Sequence, residues 1–208
     1  MPGDDLHALR DRFARALVDV GTGDGRFAYH QATEHPDALV VGIDALDEPM
    51  GEVAAKAGRK PARGGRPNLV LVRASVEHLP DELRAFADTV TVVLPWGRLL
   101  EGIVRAQPDV VGGVAALCRP GAAVRVVLNG EIWLASTPAR YESLPLPTPE
   151  YVAEVVAPAF ARAGVVVSDA RVLSAAEAKA LPSTWARRLA SGRAHPTFVA
   201  FEGVAGGA

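Results

Sequence analysis

Residues 18–25 read Val18-Asp19-Val20-Gly21-Thr22-Gly23-Asp24-Gly25, and the fold turns on how this stretch is read. The apolar run at residues 16–20 has the length and composition of a buried strand, and a helical pattern leads away from the glycines to about Glu34. A glycine-rich turn between strand and helix lets backbone pass close beneath a ligand and present N–H groups to it. A dinucleotide loop has the spacing G-x-G-x-x-G, with pyrophosphate at the helix N-terminus. Here the spacing is G-x-G-x-G, and Asp19 and Asp24 flank it. Carboxylates in those places repel a diphosphate. They suit a ligand that carries positive charge.

Outward from this turn the same alternation repeats. A helical pattern starts at about Asp5, with Leu6, Leu9, Arg10 and Phe13 at helical spacing. Continuous apolar strands are expected at residues 38–43, 68–72, 89–94 and 123–128, with helices over about 49–57 and 80–87 and helical stretches up to Leu117. Arg119-Pro120-Gly121 reads as a turn. Strands apolar on both faces, alternating with helices, form a mostly parallel sheet covered on both sides. Residues 134–149 hold four prolines and read as an ordered linker or lid. A helix over 150–163, a strand over 165–167, a helix over 174–189 broken near 181–183 and a strand over 197–201 complete the pattern. Five parallel-type strands plus a final strand pair is the seven-stranded arrangement of class I methyltransferases. A dehydrogenase of this type needs a second, substrate-binding domain, and 208 residues leave no room for one.

Composition narrows the classes further. With 49% hydrophobic and 22% charged residues the chain can bury an ordinary core as one domain over residues 1–208. No apolar run approaches the roughly 20 residues of a membrane span, and the charged N-terminus has no signal-peptide core. One cysteine, Cys118, rules out a disulfide framework and a cysteine-based metal site. The five histidines show no ligand spacing, so no metal is expected. The expectation is a cytoplasmic protein that acts as a monomer.

A net charge of −2 hides a segregation. Residues 1–50 are net −6, whereas residues 51–73 are net +5 through Lys56, Arg59, Lys60, Arg63, Arg66 and Arg73. Residues 171–208 are net +3 through Arg171, Lys179, Arg187, Arg188 and Arg193. Such runs are ordinarily just solvated, but two basic islands on an acidic body also make a face for a polyanion.

The charge of the first site selects a cofactor. Asp19 and Asp24 by the turn suit S-adenosylmethionine (SAM), whose ammonium and sulfonium groups are cationic. Asp44, at the end of the second strand, is placed to accept both ribose hydroxyls. Ser75-Val76-Glu77, after the third strand, would lie by the adenine or methionine end. Leu94-Pro95-Trp96-Gly97 closes the fourth strand, where many base-amino methyltransferases keep a proline-aromatic motif and the ring stacks on an extruded base. Ser183-Thr184-Trp185-Ala186-Arg187-Arg188 sets a second tryptophan beside an arginine pair, a composition that fits base stacking and phosphate clamping. A turn with a packed tryptophan and a helix with solvated arginines are the plainer readings of these two segments.

Taken together, DVGTGDGR (19–26), VGIDAL (41–46), KPARGGRPNLVLVRASVEHLP (60–80), LPWGRLLEGI (94–103), CRPGA (118–122) and STWARRLASGR (183–193) resemble the aminoglycoside-resistance 16S rRNA (adenine-1408 N1)-methyltransferases of the kanamycin–apramycin resistance type. The resemblance implies that Asp19, Gly21, Asp44 and Glu77 bind SAM; Thr22, Gly23 and Val76 are counted in the same site by their positions, with Arg98 beside them. It implies that Trp96 and Trp185 sandwich the adenine, with Pro95 shaping the bend and Ser183 holding the segment or the base. It further implies that Lys56, Arg59, Lys60, Arg63 and Arg66, then Arg187, Arg188 and Arg193 within a basic segment over 171–193, grip rRNA of the assembled 30S subunit. Three features depart from the family pattern. A helical segment precedes the first strand where a β-hairpin is usual, Arg98 stands where a small hydroxyl residue is expected, and residues 129–149 match poorly.

Two other readings stay open on the residues themselves. One is a small-molecule SAM methyltransferase with the proline-rich segment as a lid. The other is a SAM-binding, RNA-associated protein with little turnover.

Overall fold

Apolar strands that cannot face water on either side decide the architecture. In the computed structural model, which describes residues 3–130, 141, 143–181 and 197–206, seven strands form one sheet. The strands are β1 (Arg15–Val20), β2 (Ala38–Asp44), β3 (Leu69–Arg73), β4 (Ala87–Val93), β5 (Cys118–Asn129), β6 (Val165–Val172) and β7 (Phe198–Ala205). Their order is β3-β2-β1-β4-β5-β7-β6. The first five are parallel, and β7 runs antiparallel to both β5 and β6.

Alternation along each strand feeds two layers. Ala16, Val18 and Val20 of β1 face the larger core, where α1 (Gly3–Arg10), α4 (Gly97–Val104), α5 (Pro108–Ala116) and α7 (Ala157–Arg162) pack through Leu6, Leu100, Ile103, Val110, Val114 and Phe160. Leu17 faces the other side, where α2 (Arg26–Glu34) and α3 (Gly51–Ala57) contribute Ala28, Ala32 and Val53. A third cluster joins Val127 and Ala200 to Ala178 of α8 (Ala175–Ala180). Into α7 the chain runs from α6 (Pro149–Tyr151) through a π-helical turn, Val152–Val156. No helix among the described residues is long and apolar enough to cross a membrane.

Three local expectations need correction. Residues 80–87 form only a single 3₁₀ turn, Asp81–Leu83, instead of a helix. The reason is tertiary: the N–H groups of Ala85, Phe86 and Ala87 donate to the carbonyls of Ala116 and Leu117, which draws this backbone into β4. Arg119-Pro120-Gly121 is not a turn between elements, because β5 begins at Cys118 and passes through it. Gly121 takes φ +81°, and the pairing with β4 shifts register between Ala87 and Thr89, so the segment is absorbed as a bulge. β6 extends to Val172, five residues past the expected end, because its polar half still pairs with β7 at the sheet edge.

Candidate active site

The strand order reverses at β1, which lies between β2 and β4, and open α/β sheets bind ligands at such a point beyond the strand carboxyl ends. A cavity of about 850 Å³ opens there. Asp19, Gly21, Thr22, Gly23, Asp44, Val76, Glu77, Trp96 and Arg98 all line it.

Asp19 sits between Gly42 of β2 and Thr91 of β4 in the sheet register. It is 4% exposed. Thr91 Oγ1 donates to Asp19 Oδ1 at 3.2 Å, while Asp19 Oδ2 and the nearby Thr22 Oγ1 are buried with no hydrogen-bond partner among the described residues. Burial pushes the Asp19 carboxyl up to about 7; the Thr22 and Thr91 hydroxyls oppose the rise and the charge of Asp44 adds to it. Of the two hydroxyls only that of Thr91 has hydrogen-bonding geometry. Gly42 leaves this corner open, since a Cβ there would lie 2.9 Å from Thr22 Oγ1 and 2.7 Å from Leu71 Cδ2.

The glycine turn works differently from the expectation. Gly21, Gly23 and Gly25 take φ of +71°, +57° and +74°. That path turns their N–H groups into the protein. Gly21 and Thr22 donate to the Ile43 carbonyl at 2.8 and 3.0 Å, Gly23 to Asp44 Oδ2 at 2.9 Å, and Gly25 to the Thr22 carbonyl at 3.0 Å. None of these four donors remains for a phosphate. Asp44 therefore does two jobs, because its Oδ1 also accepts from the Leu46 N–H at 3.0 Å. A carboxylate offers about four acceptor positions, so it keeps capacity for ligand hydroxyls. Gly21 is a close approach as well: a Cβ there would stand 2.6 Å from Leu99 Cδ2.

On the far wall Glu77 keeps its side chain only 11% exposed and pairs with Arg98, Nε to Oε1 at 3.5 Å. Pro95, expected at the site, is buried and does not line the cavity. Trp96 stands at the mouth, 40% exposed. Leu94 and Gly97 on either side take φ of +52° and +60°.

Sequence reasoning missed Thr91 and Tyr141. Thr91 reads as one more strand residue until the register sets it beside Asp19. Tyr141 is buried, accepts a hydrogen bond from the Gly97 N–H at 2.8 Å and packs its ring 6.3 Å from that of Trp96. It lies in the proline-rich segment, where no motif marks it.

The first basic island is ordered around Tyr29 of α2. The Tyr29 hydroxyl donates to the Gly64 carbonyl at 2.6 Å, with Lys56 Nζ 4.2 Å and Arg66 Cζ 4.9 Å from the ring centroid. Arg66 Nε donates to Thr33 Oγ1 at 2.8 Å. Arg59, Lys60 and Arg63 are exposed and form no ion pair among the described residues. This loop enters β3 from its amino end, so it lies at the opposite end of the sheet from the cavity. A five-residue strand separates the two, about 16 Å. Arg171, counted in the second island, is spent on Glu177 at 2.7 Å and Asp169 at 3.8 Å. Ser183, Trp185, Arg187, Arg188 and Arg193 lie outside the described residues.

The buried, unpartnered Asp19 Oδ2 and Thr22 Oγ1 fit a polar cationic ligand, and the closed glycine turn does not fit a diphosphate. The fold is that of a class I SAM-dependent methyltransferase. Residues 1–204 match the family described as NpmA, 16S rRNA (adenine(1408)-N(1))-methyltransferase, and the chain belongs to that family. It is 43% identical over 189 residues to the enzyme of that description from Streptoalloteichus hindustanus, covering 91% of this chain and 86% of the relative. The Streptoalloteichus tenebrarius enzyme is 41% identical over the same shares. A crystal structure of a Trp→Ala mutant of the enzyme from Catenulisporales acidiphilia with cosubstrate SAM superposes with TM-score 0.92 at 40% identity, covering 100% of this chain and 92% of that one.

Proposed function

We propose that this protein methylates N1 of adenine 1408 in 16S rRNA of the assembled 30S subunit and thereby confers aminoglycoside resistance, acting as a single-domain monomer without a metal. The observation that carries the reading is the exposed Trp96 at the mouth of a cavity lined by Asp19, Asp44 and Glu77. Family membership supplies the nucleotide.

SAM, when bound, supplies an electrophilic methyl group on a cationic sulfur. Asp19 Oδ2 and Thr22 Oγ1 would hold its polar amino-acid end, Asp44 its ribose hydroxyls, and Val76 and Glu77 the remaining wall. Adenine N1 is unprotonated at neutral pH and has an in-plane lone pair, so no side chain has to remove a proton. The work left to the protein is alignment and exclusion of water. Trp96, with Trp185 as its counterpart, would stack on the extruded base. Extrusion costs a few kcal/mol, and stacking of ~1–3 kcal/mol per base offsets it. Ring faces also favour the positive charge that develops on the adenine, by roughly 0.5–2 kcal/mol each.

Arg59, Lys60 and Arg63 would touch phosphates well away from the target base. A partner that reaches both ends of the sheet is a large folded RNA, and this favours the 30S subunit over a small-molecule substrate. Transfer of tritiated methyl from SAM to purified 30S subunits, with primer extension to locate the block, tests the proposal. The expected result is label in 16S rRNA and a stop at adenine 1408. Label at another nucleotide, or none, overturns it, and a shift of 30S in a gel without label points to the binding protein with little turnover.

A further inference from the structure

Trp96 is the N-cap residue of α4 and takes an extended conformation, φ −127° and ψ 169°. Its indole can accept no hydrogen bond from the first turn, so the helix has no side-chain cap of its own. The backbone around it is strained, since Leu94 is one of three non-glycine residues with positive φ among those described. Such a conformation persists only where its surroundings hold it. One restraint is the Leu94 N–H, which donates to the Val127 carbonyl at 2.8 Å. Another comes from 44 residues away, where the Tyr141 hydroxyl accepts from the Gly97 N–H at 2.8 Å.

The same residue also backs the indole. Tyr141 is 2% exposed, and its ring meets that of Trp96 at 6.3 Å and 53°. The chain following it is fastened to α4 and its C-terminal end. Leu144 N–H donates to the Tyr141 carbonyl at 2.9 Å, Arg105 donates to Ser143 Oγ at 2.9 Å, and the Tyr151 hydroxyl donates to the Val104 carbonyl at 2.9 Å. Tyr141 is thus anchored on one side and presented to Trp96 on the other.

We infer that Tyr141 is a positioning residue for methyl transfer, which caps α4 from a distance and fixes the Trp96 ring in the attitude that receives the adenine. The inference rests on the reading of Trp96 as the base platform. Tyr141 does not itself line the cofactor cavity, so SAM affinity is expected to stay near that of wild type.

Tyr141→Phe removes the acceptor and keeps the ring; Tyr141→Leu removes both. Single-turnover methyl transfer to 30S subunits should fall on the order of tenfold in the first and further in the second, as misplacement of a reacting partner costs rate. SAM affinity by calorimetry and 30S affinity should stay within about twofold of wild type, because a positioning loss is not a binding loss. Amide exchange at Gly97 should accelerate on the order of tenfold in Tyr141→Phe, with Leu100 and Ile103 unchanged, a local signature that general destabilisation does not give. In a Trp96→Ala background, Tyr141→Phe should add less than about a twofold loss, since the two act as one unit. A wild-type transfer rate in Tyr141→Phe, or a loss that tracks weakened SAM binding, overturns the inference. If Trp96→Ala itself transfers methyl at the wild-type rate, the platform reading fails first, and the Gly97 exchange result then reports the cap alone.

Discussion

Arg98 Nε lies 3.5 Å from Glu77 Oε1, which joins a mostly exposed guanidinium to a mostly buried carboxylate on the wall of the cofactor cavity. A guanidinium beside a cationic cofactor repels it unless an acid neutralises the charge. Glu77 is that acid. Pairing removes the repulsion but occupies a carboxylate otherwise available to the ligand.

Arg98→Ser or Arg98→Thr should therefore leave the fold intact and tighten SAM by about two- to fivefold, the scale of one partly exposed ion pair. Calorimetry on both variants decides it. Weaker SAM binding in both would show that Arg98 is a positive contact, most simply to the cofactor's carboxylate.

Asp19 makes the pH dependence specific. Its carboxyl is raised from an ordinary 3.8 to about 7, chiefly by burial. Between those values the folded protein holds the proton more tightly than the unfolded chain, so stability falls as pH rises through this window. Above about 7 the penalty is complete, on the order of 4 kcal/mol for a shift of this size. Without cofactor, Asp19→Asn should raise Tm at pH 7.5 and have little effect near pH 4, while SAM binding is lost. In the wild type, the rise in Tm on adding SAM should be larger at pH 7.5 than at pH 6, because a cationic ligand meets an ionised carboxylate. A SAM-induced shift equal at both pH values would remove Asp19 as the charged contact.

The basic loop offers a test that leaves the cofactor untouched. Lys60→Ala and Arg63→Ala should each weaken 30S binding and lower the salt slope of that binding by about one. Tyr29→Ala should weaken 30S binding as well, although it removes no charge, because Tyr29 holds Gly64, Lys56 and Arg66 in place. SAM affinity should be unchanged in all three. Filter binding across a salt series checks this, and a Tyr29→Ala variant that binds 30S normally would show that the loop is not organised by that ring.

What could be read beforehand follows from which information is local. The five parallel strands were legible because each is an apolar run, and Asp19, Asp44 and Glu77 because parallel strands bring consecutive carboxyl ends to one rim. The direction of the Gly21–Gly25 N–H groups was not legible, since it depends on positive φ values that composition permits without requiring. The segment around Leu83 and Ala85 has a helical pattern but is not a helix, because its decisive partners, Ala116 and Leu117, lie some thirty residues downstream. Arg98 with Glu77 and Tyr141 with Gly97 are contacts through space between segments that carry no shared pattern.

Trp96 carries the sharpest test of the site. It is 40% exposed while its neighbours Leu94 and Pro95 are buried, and it borders the same cavity as Asp19 and Asp44. A ring that served only to pack would bury its face, as Phe86 and Phe198 do. Removing it should cost the base its platform, ~1–3 kcal/mol of stacking, and leave the cofactor floor as it was. Trp96→Ala should therefore lose most methyl transfer with SAM affinity near wild type. Trp96→Phe should keep a partial rate, because a smaller π-face still stacks. Trp185→Ala should behave like Trp96→Ala if the two rings share one base. The measurements are single-turnover transfer to 30S subunits and SAM calorimetry on the same preparations. Equal rates in Trp96→Phe and Trp96→Ala would mean that ring area is irrelevant, and loss of SAM binding in Trp96→Ala would move the residue from the base to the cofactor.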